Sequence, residues 1–121
     1  MSLAHHSLVA WQRADDLFIR LHQLSLKAFP AYERFELGGQ LRRAAFSVAC
    51  NIVEGSARRS AGEYCNFLNI AAGSASEARY LVELSGRFGF LSQHDADALT
   101  VSYTELCARL QALINSLSRE P

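Results

Sequence analysis

The chain has 121 residues, with twelve basic and twelve acidic side chains, half of its residues hydrophobic and a fifth charged. That length and composition suit one ordered domain around a single sizeable core, and they exclude a disordered or collagen-like chain. A formal net charge of zero argues against a general polyanion binder, which carries a clear basic excess, but leaves room for a local basic patch and for self-association.

The opening segment, MSLAHHSLVAWQ, lacks a basic region followed by a long apolar run. No stretch reaches the ~20 apolar residues of a membrane helix, so a cytoplasmic protein without signal peptide or membrane span is expected. Residues 9–28 repeat apolar positions at Ala14, Leu17, Phe18, Leu21, Leu24 and Ala28, a helical face, with Asp15 and Asp16 early and Lys27 in the last turn. Phe29-Pro30 ends it, since the residue before proline is pushed out of the helical region.

After a short connection over 31–36, a second helix spans about 36–58. Leu37, Leu41, Ala44, Ala45, Val48 and Ile52 form its core stripe. Beside that stripe runs a polar ridge of Gln40, Arg43, Ser47, Asn51, Glu54 and Arg58. Ser60-Ala-Gly-Glu63 is a capping box that starts a third helix at about 61. Its apolar face includes Tyr64, Phe67, Leu68, Ala71, Ala75, Ala78, Leu81 and Leu84, and its small-residue middle, AAGSAS at 71–76, lets another backbone approach closely. Packing of that kind would offset the helix-propensity cost of Gly73. Glu83 and Arg87 are spaced for an ion pair, and Gly89 ends the helix, with Phe90 and Leu91 pinning the turn. Ser92 opens a fourth helix, with Asp95 three residues on. Its inner face is Ala96, Leu99, Tyr103, Leu106, Leu110, Leu113 and Leu117.

The expected architecture is therefore all-α: one domain over 1–121, with helices at about 9–28, 36–58, 61–87 and 93–118 in an antiparallel up-and-down four-helix bundle.

Chemistry-bearing patterns are sparse. No Glu-x-x-His, His-x-x-x-His, Cys/His cluster, glycine-rich phosphate loop or GxSxG elbow occurs. His5, His6, His22 and His94 fall into no ligand spacing, and Cys50, Cys65 and Cys107 read as reduced thiols behaving as small hydrophobes. No metal, cofactor or small-molecule substrate is expected.

The ridge supplies no histidine, so it reads as a structural network. In this reading Arg43, Asn51 and Glu54 pair with one another or with Glu77 of the third helix, Gln40 and Ser47 completing the set. If the partner carboxylate stays buried, Arg43→Ala should cost roughly 3–5 kcal/mol. Phe46 and Val53, seven residues apart on a side away from the ridge, make the second helix apolar over most of its circumference and point to a subunit interface ahead of extra burial within one chain. Arg42, Arg58 and Arg59 are candidate nucleic-acid contacts if repeated around a ring. The competing reading has Arg42 and Arg59 solvated and Arg43 paired internally. Stacking aromatics beside the charge are not evident in the sequence.

WQRADDL at 11–17, FPAYERFELGGQLRRAAFSVACNIVEG at 29–55 and EYCNFLNIAAGSASEARYLVE at 63–83 resemble the four-helix-bundle proteins encoded by intervening sequences of bacterial 23S ribosomal RNA genes. The resemblance implies a four-helix bundle assembled into a ring-like homo-oligomer, most often a pentamer, and no enzyme activity. The accessory proteins of diversity-generating retroelements are similar bundles, which form basic pentameric barrels that act with a reverse transcriptase and nucleic acid. The balanced charge of this chain departs from them. A non-catalytic, homo-oligomeric cytoplasmic scaffold or adaptor is the expected function. The alternative is an accessory protein that binds RNA or DNA through an arginine zone on the assembled ring.

Overall fold

The computed structural model describes residues 8–119. Four helices follow one another: α1 (Val9–Ala28), α2 (Leu37–Ser56), α3 (Ala61–Arg87) and α4 (Gln93–Ser118). There is no strand among the described residues. Consecutive helices pack side by side, and α1 meets α4 over a much narrower strip than α2 meets α3 or α3 meets α4. The bundle is thus well closed on three flanks and thinly closed on the fourth.

Most helix ends have a local cause. Phe29 is extended ahead of Pro30, which stops α1. The turn that follows is organised by Glu33, whose carboxylate accepts a hydrogen bond from Leu37 N at 3.2 Å. The Glu33 backbone carbonyl also accepts from Gly38 N at 3.0 Å. Glu33 thereby satisfies first-turn donors of α2 that would otherwise be orphans.

At its other end α2 stops at Ser56, two residues short of the span read from the spacing. The chain tightens there through i to i+3 bonds, Ala57 N to Glu54 O and Arg58 N to Gly55 O. Ser60 and Ser92 cap α3 and α4, accepting from Glu63 N at 3.1 Å and Asp95 N at 3.0 Å. Gly89, at φ 79°, closes α3 with Phe90 N bonded to Ser85 O and Gly89 N bonded to Gly86 O. That pattern is a Schellman cap.

Leu21, Leu41, Val48, Ile52, Leu68, Val82, Leu99, Tyr103, Leu106 and Leu110 have no or almost no exposed surface and form the core. Two close approaches set how tightly the helices meet. A Cβ on Gly55 would lie 2.8 Å from the Tyr64 ring and 2.9 Å from Phe67 Cβ, so any side chain there would force α3 to shift away from α2. A Cβ on Gly86 would lie 2.7 Å from Ala96 Cβ.

Several faces are rotated from their expected positions. In α1 the last core position is Ser25, fully buried, while Ala28 faces solvent. In α3 Val82 and Ser85 are buried, with Leu81 and Leu84 half-buried beside them. In α4 Ile114 is buried, and Leu113 and Leu117 flank it half-exposed. Gly73 corrects another expectation, because it faces solvent and a Cβ there would meet nothing within 4 Å. The close approach along α3 comes from Ala71, Ala75 and Ala78, all fully buried. Glu83 and Arg87 are exposed and unpaired. None of the described helices is long and apolar enough to cross a membrane.

Candidate functional site

The ridge on α2 divides between two environments. Ser47 Oγ lies 2.8 Å from Ser74 Oγ of α3, and Asn51 Nδ2 donates to the Ser47 carbonyl at 2.8 Å and to its hydroxyl at 3.1 Å. This half-buried trio joins α2 to α3. Ser74 is the member that sequence reasoning missed. Its position in the small-residue stretch, one step before the buried Ala75, was the available signal.

Glu54 forms an ion pair with Arg58 one turn along, and the Arg58 guanidinium lies over the Phe67 ring, 4.7 Å from its centroid. Both partners are exposed, so the pair contributes little stability.

The expected clamp between Arg43 and a carboxylate is not formed within the chain. Gln40, Arg43 and Glu77 are exposed and make no side-chain hydrogen bond or ion pair among the described residues. The geometry of the helix explains the correction. At about 100° per residue, Arg43 lies about 160° from Leu41 and about 180° from Ile52, directly opposite the core.

Arg42, by contrast, borders the core on the α1 side. Its Nη1 donates to Ser25 Oγ at 2.8 Å and its Nη2 to the Arg34 carbonyl at 2.9 Å, with the guanidinium 5.9 Å from the Phe35 ring centroid. One side chain therefore ties the end of α1, the connecting turn and the start of α2. Arg42 is neither solvated nor a free phosphate contact, and the roles expected for the two adjacent arginines are exchanged. Of the other candidate contacts, Arg58 is held by Glu54, while Arg59 is exposed and unpaired.

Phe46 is 54% exposed, and its ring packs 5.4 Å from that of Phe18 on α1. His22 sits edge-on to Phe18 at 5.8 Å. Together with Arg43 these side chains line a shallow cleft of 290 Å³ on the outer side of α1 and α2. Val53, two turns along from Phe46, is half-buried. The aromatics that the sequence left far apart, Phe18 and Phe46, are thus brought beside an unpaired arginine.

The Cys50 thiol is pushed up by burial and, to a smaller degree, by the Glu54 carboxylate, which favours the unreactive protonated form. Among the described residues no group of three His, Cys, Asp or Glu side chains could hold a metal ion. His5 and His6 lie outside the described residues.

Fold and site together define a four-helix bundle in which Arg42 and Ser47 tie α2 to the helices on either side. The chain belongs to the family of 23S rRNA-intervening sequence proteins, whose family model matches residues 6–112. Its fold is shared with a protein of unknown function from the S23 ribosomal protein family of Bacteroides thetaiotaomicron VPI-5482, with a TM-score of 0.82 at 24% identity, over 88% of this chain and 96% of that one. Comparison with curated proteins gives no match. Nothing in these similarities indicates a catalytic role.

Proposed function

We propose that this protein is a non-catalytic, homo-oligomeric scaffold or adaptor of the cytoplasm, with a ring-like assembly, a pentamer foremost, built through the outer face of α2. The observation that carries this reading is Phe46, more than half exposed next to Phe18 on a helix whose other flank is already buried. Soluble proteins usually cover such an apolar surface. Light scattering at micromolar concentration tests it: the wild type should show a mass several times that of one chain, and Phe46→Asp a clear shift toward the monomer. A monomeric wild type would remove the ring.

A second reading, a nucleic-acid-binding accessory protein, is favoured by Arg43 standing unpaired beside the Phe18 and Phe46 rings. Single-strand binders combine cations with stacking rings in this way. Binding of labelled RNA or DNA by this route should weaken steeply as salt rises, and should be lost in an Arg43→Glu, Arg59→Glu variant. Equal binding by wild type and variant would discard it.

A further inference from the structure

The thinly closed flank between α1 and α4 is a groove. Three concavities of 210, 160 and 310 Å³ succeed one another along it, the first two sharing Arg109 and the last two sharing Arg20. From Val9 to Lys27 it runs for about 27 Å, at the rise of an α-helix. Its apolar surface is offered by Val9, Leu8 and Leu113 at one end and Leu24 at the other, while Leu17 and Leu106 are buried beneath its middle.

The rims are charged in a definite order. Arg109 shares the first concavity with Ala10, and Arg20 reaches Asp95 at 3.9 Å near the other end, so α4 runs opposite to α1. Travelling from Ala10, a partner would meet Arg13 and Arg109, then Asp16 and Glu105, then Lys27 and Arg20, the last with Asp95 beside it. Arg13, Asp16, Glu105 and Arg109 are all exposed and make no hydrogen bond or ion pair among the described residues. Four unpaired charges around an apolar floor match a ligand that brings both signs, because an anion alone would face Asp16 and Glu105 and a cation alone would face the arginines.

We infer that this groove docks an amphipathic helix of another protein, whose side chains present an acid, a base and an acid at successive turns beside an apolar stripe. A groove about five helical turns long with an apolar floor has the dimensions of a helix-binding site. The spacing Arg13, Asp16, Arg20 asks for acids seven residues apart with a base between them. No two acidic residues of this chain's own helices are seven apart, so a second copy does not offer the complementary order. This inference is independent of the scaffold reading: it concerns a different flank, and a monomeric wild type would leave it standing.

The test uses the full chain and two labelled helical peptides with the same leucine stripe. One carries Glu-Lys-Glu and the other Lys-Glu-Lys at the facing positions. Fluorescence anisotropy should show the Glu-Lys-Glu peptide binding about tenfold more tightly, with the advantage shrinking as salt rises. Arg13→Glu combined with Arg109→Glu should remove that preference while leaving the melting temperature in place, since both residues are exposed. Equal affinity for the two peptides, or no binding of either at millimolar concentration, would overturn the inference. So would a fall in assembly mass on Glu105→Arg, which would mean that a second copy occupies the groove.

Discussion

Arg42 and Arg43 are neighbours in the chain with opposite surroundings, because one residue of helix turns the side chain by about 100°. Removing Arg42 leaves the Arg34 carbonyl and the buried Ser25 hydroxyl without their guanidinium donors. Arg42→Ala should therefore lower stability by about 2–3 kcal/mol in urea melts. Arg43→Ala should stay within about 0.5 kcal/mol, far from the cost a buried clamp would carry. Equal losses from both would show that Arg43 is covered by a second chain.

Tyr103 makes a second point at this scale. Its hydroxyl is fully enclosed without a protein partner, and burial, assisted by Cys107, holds the phenol well above its ordinary range. An unfolded chain releases that proton at about pH 10 while the folded chain retains it, so the folded state binds more protons and stability falls above that pH. Tyr103→Phe should raise the melting temperature at neutral pH, by up to about 1 kcal/mol of stability, and should flatten the alkaline loss. A lower melting temperature would mean that the hydroxyl does find a partner in solution.

Two glycines separate what an element needs from what it tolerates. Gly55 sits where α2 turns back under Tyr64 and Phe67, and the Phe67 Cβ at 2.9 Å cannot swing away as a side-chain tip could. Gly55→Ala should cost about 1–3 kcal/mol through displacement of α3. Gly73 lies in mid-helix with open space around it. Gly73→Ala should instead stabilise by about 0.5–1 kcal/mol, since alanine loses less backbone freedom on folding. Calorimetry on the pair is a direct check: a destabilising Gly73→Ala would place another subunit against that side of α3. The caps at Ser60 and Ser92 and the turn at Gly89 were legible in the sequence because each depends on residues within a few positions. The Glu33 cap of α2 was not, since its carboxylate reaches forward to Leu37 from a turn with no standard signature.

For the whole molecule, the core stripe of α2 was readable because Leu37, Leu41, Ala44, Ala45, Val48 and Ile52 repeat at helical steps, and all but the half-buried Leu37 are buried. The site was only partly readable. Ser47 joins α2 to α3 through Ser74 and not Glu77, with Asn51 bonded back onto Ser47 of its own helix. If the proposed assembly is built through Phe46, Phe46→Asp should dissociate it without loss of helix content by circular dichroism, because the side chain is already largely exposed within one chain. Helix loss together with dissociation would mean that Phe46 supports the fold itself. The groove between α1 and α4 had no sequence signature, since its rims come from residues about 90 positions apart, Arg13 and Glu105 among them.

The sequence by itself determined the four helices, their breaks and most of their buried stripes, because spacing, capping residues and proline act over a few residues. Only the tertiary structure decided which polar side chains are ties and which are free. A guanidinium at the edge of a core stripe becomes internal or solvated according to the neighbour that packs beside it. For Arg42 that neighbour is Ser25 at the end of α1, seventeen residues earlier in the chain.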